Sequence, residues 1–291
     1  MKRVATRFAP LAVLMLLLMS VMVAAANPQK SPPREDSMTI WQARRTLIAG
    51  AKYLYVAAKD WSTGKKGWGT GKIDPRSFRF TPDSFEFDAF DSKKGTRHFQ
   101  VDLKTFEAVR VINDALTNAA GKPLPGGLYW EDHPFKFWSL SNPSTCSADC
   151  VYAGESFAAA LNRLRWYAGY TWAPLRTFTQ QAAAWRALPA KPPIPEKVRA
   201  QRLLAENALQ EKQLAEALNH YETGLEIYPT WPQGWFNASM IAAELGLYAD
   251  AVEHMQAYLE LVPEAADAPA ARDQILIWRS KAEQQARNEL Q

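Results

Sequence analysis

Apolar residues recur at three- and four-residue steps from Trp41 through Ala43, Leu47, Ile48, Ala51, Leu54 and Tyr55, which predicts an amphipathic helix over 38–58. Residues 59–72 are rich in Gly and Lys and read as a loop with some strand content. The period then changes to two. Phe78 and Phe80, Phe85 and Phe87, then Phe99, Val101 and Leu103, and lastly Val109 and Val111 alternate with polar residues. That is the signature of half-buried antiparallel strands. Thr81-Pro82-Asp83 and Asp91–Gly95 supply turns between them, and residues 126–140 add one or two strands around Asp132–Pro134. Helical periodicity returns over 154–170, with Phe157, Leu161, Leu164 and Trp166/Tyr167 on the apolar side. Strands closed by a helix predict an α+β domain over 39–168.

Residues 169–195 read as a connection. A helix over 175–188 is followed by four prolines between Pro189 and Pro195, a stiff extended segment acting as a spacer or as a tight corner. From Glu196 to the end the pattern is helical, in five segments: 198–213, 214–228, 232–246, 248–262 and 269–290. These segments repeat. Ala217, Tyr221, Gly224 and Pro229 fall in register with Ala251, Met255, Tyr258 and Pro263, each 34 residues on, and Trp235 opens the second unit with a large aromatic. Residues 196–291 thereby resemble the tetratricopeptide repeat family, whose units are two antiparallel helices, with the last segment as a capping helix. The match departs from the family in helix A, where the first unit has Gln201 in place of Trp235 and the second reads Trp235, Ala238, Ser239, Ala242. Two such units fall short of the three that a repeat array needs to bury its stripes. The preceding domain, helix 175–188 or a second copy is expected to supply the missing neighbour. The strand order and the ending FAAALNRLR give 39–168 a weaker resemblance to bacterial members of the pleckstrin-homology/GRAM-like family, a bent sheet plugged by a C-terminal helix.

The chain's first residues read differently. A basic head, an apolar run without charge and Ala24/Ala26 form a secretory signal pattern over 1–26, with an uncleaved inner-membrane anchor as the competing reading. Residues 27–38 read as a flexible, proline-rich leader. Export, to the bacterial periplasm, is the expectation. The formal charge of +4 includes Lys2, Arg3 and Arg7, so a cleaved chain keeps 31 basic against 30 acidic residues. That balance speaks against nucleic acid as a partner.

Candidate chemistry is sparse. The two cysteines, Cys146 and Cys150, are spaced for a short loop-tightening disulfide in an oxidising compartment, and free thiols are the alternative. His98, His133, His220 and His254 form no metal-ligand motif, and His220 and His254 recur with the repeat. Gly64–Lys72 lacks the spacing of a phosphate-binding loop. Glu131 and Asp132 are adjacent, so a strand would point them to opposite faces and not pair them for acid–base work. No residue is assigned catalysis, and no cofactor or metal is implied. The expected function is binding of a protein or peptide on the helical array. Trp231, Trp235 and Phe236 are candidate partner anchors if packing does not absorb them. Two rivals stand beside it. One is an anionic lipid or envelope surface met by Lys65, Lys66, Lys72, Lys93 and Lys94. The other is an enzyme site between residues 59–72 and 129–138.

Overall fold

A computed structural model describes residues 38–59, 68–92, 95–104, 110–112, 127–129, 135–139, 148–169 and 174–288. All of them fall in one compact unit, 33–291. The signal pattern and residues 27–37 lie outside the described residues; Met38, assigned to the leader, is buried.

Helix α1 (Ile40–Ala51) starts at a capping box in which the Thr39 side chain accepts from the Gln42 amide and the Gln42 side chain accepts from the Thr39 amide. It is shorter than the apolar spacing predicts. Leu54 and Tyr55 open strand β1 (Leu54–Lys59) instead. Leu54 and Val56 are buried on either side of half-buried Tyr55, so these residues obey period two. The Tyr53 amide donates to the Gly50 carbonyl at the break.

The remaining strands are β2 (Trp68–Ile73), β3 (Arg79–Phe80), β4 (Ser84–Asp91), β5 (Gly95–Asp102), β6 (Arg110–Ile112), β7 (Gly127–Tyr129) and β8 (Phe135–Ser139). They form an antiparallel sheet in the order β3-β4-β2-β1-β8-β7-β6, with β5 also on β4. The alternation read from the sequence sets its register: Phe85 lies opposite Val101 and Phe87 opposite Phe99. All four are buried, and the Phe87 and Phe99 rings stack with centroids 5.1 Å apart.

Helix α2 (Ala148–Gly169) runs along α1 and reaches β6 and β7. Phe157, Leu161, Leu164 and Tyr167 are buried, but Trp166 is not on the apolar side: it is 52% exposed, with the Arg163 guanidinium 4.7 Å from its ring. The helix starts earlier than its apolar stripe, so the Cys150 backbone lies in the first turn of α2 and not in a loop; Cys146 lies outside the described residues.

After a single 3-10 turn at Pro174–Thr177 comes α3 (Phe178–Ala187). The proline segment is a corner rather than a free spacer. Lys191 Nζ donates to the carbonyls of Trp185, Arg186 and Leu188, which satisfies the last turn of α3. Helices α4 (Glu196–Gln210), α5 (Leu214–Ile227), α6 (Pro232–Glu244), α7 (Tyr248–Leu261) and α8 (Ala268–Asn288) follow. α5 and α7 begin 34 residues apart, and so do the two left-handed residues in the turns before them, Lys212 (φ 61) and Gly246 (φ 75). Ala217 and Ala251 are fully buried where the helices close on one another. α3 lies on α7, its Arg186 donating to the Glu260 carbonyl.

Candidate functional site

Glu222 and Glu226 stand one helical turn apart on α5. Like charges at that spacing destabilise an isolated helix, so both need cations from elsewhere. α1 and α2 bring them. Arg45 grips Glu222 with both terminal nitrogens, at 2.8 and 3.0 Å, and also reaches Asp250 on α7. Thr39 donates its hydroxyl to Glu222 at 2.7 Å. Arg163 pairs with Glu226 at 2.7 Å and donates to the Met38 carbonyl. The first amide of α1, on Ile40, also donates to Glu226, where the helix dipole favours an anion. Further along, Trp41 Nε1 and Arg44 both donate to Glu253 on α7. One face of α5 and α7 is thus occupied by a helix of the same chain.

Glu222 is fully buried. Burial pushes its carboxyl up, but His254 at 3.5 Å and the Arg45 guanidinium outweigh this and hold it at about 2. Burial also works against the Arg45 charge, and Glu222 and Asp250 reverse that, so Arg45 stays protonated. Asp250 and Glu226 are pushed above the usual carboxylate range, by burial that their Arg partners only partly offset. His254, which recurs with the repeat, is buried in this cluster, with the Trp41 ring 5.0 Å and the Trp235 ring 5.5 Å away.

The same packing removes two of the three aromatic anchors. Trp231 is 2% exposed and lies against Gly224 and Gly234, where a methyl group would come within 2.9 and 2.3 Å of its ring. Trp235 is 2% exposed, packs edge-to-face on Trp41 and donates to the Pro229 carbonyl. These indoles are core, because the junction between units and the docking of α1 both fill with aromatic surface there. An edge of Trp231 still lines a half-open groove of about 400 Å³ with Trp185, Ile194, Tyr228 and Tyr258. Phe236 alone stays half-buried, edge-on to Tyr258.

Phe236 belongs to a second face. Residues 34 apart on α4, α6 and α8 line up as Arg202, Phe236 and Ala270; Glu206, Met240 and Gln274; Leu209, Ala243 and Ile277, and every one is half-buried or exposed. Met240 is 46% and Ile277 49% exposed. This face carries the accessible apolar surface that the sequence placed on Trp231 and Trp235.

Of the proposed lipid-facing lysines, Lys72 is exposed on β2; Lys65, Lys66, Lys93 and Lys94 lie outside the described residues. So do Glu131, Asp132, His133 and most of the proposed enzyme cleft. His98 pairs with Asp88 at 2.8 Å on the solvent side of the sheet. His220 Nδ1 meets the Gln201 side chain at 2.7 Å. Among the described residues no group of three or more His, Cys, Asp or Glu side chains is placed to hold a metal ion, and no helix is long and apolar enough to cross a membrane. No protein-family model and no curated protein matches the chain.

Proposed function

We propose that the protein is an exported binding or scaffold protein whose C-terminal helices form a tetratricopeptide-like array. The array holds a peptide or helix of a partner protein on the face made by α4, α6 and α8. One observation carries this reading. The array presents two long faces; α1 fills that of α5 and α7 with buried ion pairs, whereas Phe236, Met240, Leu209 and Ile277 leave the other apolar and open. Exposed apolar surface rimmed by polar residues marks interaction sites in soluble proteins. The sheet and α2, in this reading a GRAM-like platform, then serve as the brace from which α1 is presented to the array.

Site-specific photo-crosslinking from position 240, with position 72 on the sheet as control, tests the assignment in an envelope extract. A discrete adduct from 240, absent from 72 and abolished by Phe236→Glu, is the expected result. Adducts from 72 alone would move binding to the N-terminal half and overturn it.

A further inference from the structure

The 34-residue register shows which surface each helix should bury. On α6 the positions facing the preceding hairpin are Gly234, Asn237, Ala238 and Ile241; three are buried, and Asn237 donates to Tyr221 of that hairpin at 3.0 Å. On α8 Ala268, Ala271 and Ile275 fill the matching positions and are buried against the unit before. On α4 the matching positions are Ala200, Leu203, Leu204 and Asn207, and all four are exposed, Leu203 at 53% and Leu204 at 49%. Among the described residues, α4 therefore carries a stacking face with nothing stacked on it. The array's other end is more polar: on the outward side of α8 Leu276 is exposed among Arg272, Asp273, Arg279 and Glu283.

Charge selects the occupant. Lys197 lies about two turns before Leu204 and Glu211 the same distance after it, whereas Glu196 is held by Arg199 at 2.8 Å and Lys212 sits in the turn beyond the helix. Laid antiparallel on a copy of itself with Leu204 at the centre, α4 puts Lys197 opposite Glu211, the residue that ends the helix, at both ends. Laid parallel, it puts each charge opposite itself. A surface that is its own complement under reversal is what a two-fold isologous interface requires. We propose that two copies of this chain pair through α4, antiparallel, with Leu203 and Leu204 at the two-fold axis and each copy serving as the other's missing repeat. This face is distinct from the one assigned to the partner peptide, so both can be engaged together.

Sedimentation velocity across a concentration series, with the full chain, provides the test. The expected result is a species of twice the chain mass that reverts to monomer in Leu203→Glu and Leu204→Glu, whose thermal melts match that of the parent at concentrations low enough for the parent to be monomeric, because both leucines are exposed in the single chain. Lys197→Glu and Glu211→Lys should each weaken the dimer at least tenfold, and the double variant should restore it. Under oxidising conditions Leu204→Cys should give a covalent dimer that the parent chain does not form. A parent chain that stays monomeric at hundreds of micromolar would overturn the proposal. So would a ladder of larger species, which marks head-to-tail stacking of α4 on α8, or a charge reversal that fails to rescue.

Discussion

Replacing Glu222 with Gln keeps the side chain's shape and removes its charge from the centre of the contact between α1 and the array. Its carboxyl is held at about 2 in the fold, against an ordinary value of 4.5. At about 1.4 kcal/mol per pKa unit, that difference corresponds to roughly 3 kcal/mol of stability. A depressed carboxyl contributes in full above its unfolded pKa, and the contribution is lost as pH falls through the folded value. The penalty of Glu222→Gln should therefore be largest at pH 6–7, shrink from about pH 4.5 downward, and nearly vanish near pH 2. One neighbour trims it. The Glu222 charge helps hold the Asp250 carboxyl up, so its removal lets Asp250 ionise more readily beside Arg45. The net effect near neutrality is then about 2–3 kcal/mol.

Urea denaturation followed by tryptophan fluorescence suits the measurement, since Trp41 and Trp235 lie beside the cluster. Curves at pH 7, 5.5, 4 and 3 for the parent and the variant give the difference at each pH. Arg45→Met should cost a similar amount, and the double variant less than the sum, because the second substitution removes a charge already left unpaired. A penalty below about 0.5 kcal/mol at pH 7, or one that does not change with pH, would refute the claim that Glu222 is an ionised anchor for α1.

Other outcomes test the packing directly. Gly234→Ala should destabilise by about 1–3 kcal/mol, because its methyl would sit 2.3 Å from the Trp231 ring, itself held in the core; a change under 0.3 kcal/mol in the urea midpoint analysis would count against that packing. Lys212→Gly should stabilise by about 0.5–1 kcal/mol and Gly246→Ala destabilise by about 1 kcal/mol, since both positions hold left-handed backbone. Residues 190–291 made alone should lack a cooperative melt, because α1 and α3 are absent from α5 and α7; sharp unfolding of a monomeric fragment by calorimetry would show that the array needs no cover.

Strand register was readable because Phe85, Phe87, Phe99 and Val101 sit on alternating positions and the sheet has one buried face. Leu54 and Tyr55 misled because they satisfy two periods at once: they continue the spacing of Leu47 and Ala51, and they alternate with Val56. Burial on both sides of Tyr55 decided it, and burial is tertiary. The repeat was readable from small residues and prolines at fixed spacing. What it could not show was which aromatics face solvent, since Trp231 and Trp235 look the same as Phe236 until α1 is in place. Glu222 and Glu226 did carry a signal, two acids a turn apart among Tyr221, Gly224 and Leu225 on the buried side of α5. Their cations come from 177 residues before Glu222 and 63 before Glu226, beyond any local pattern.

The two faces of the array differ in chemistry in a way that matches permanence of contact. Buried ion pairs add little net stability against apolar packing, but breaking one by misplacement is costly, so they serve registration. α1 is registered on the array at Thr39 and Arg45, which share Glu222, at Ile40 on Glu226, and at Trp41 and Arg44, which share Glu253. A slip of one helical turn would leave Glu222 buried without Arg45, at a cost of the same order as the few kcal/mol worked out for Glu222→Gln. That contact is built to form once and in one place. The face of α4, α6 and α8 has Phe236, Met240 and Ile277 at its centre and its charges at the margin, Arg202 and Glu206 among them. Apolar contact of this kind tolerates small shifts in register and releases without stranding a charge, which is the chemistry of a site that is filled and emptied.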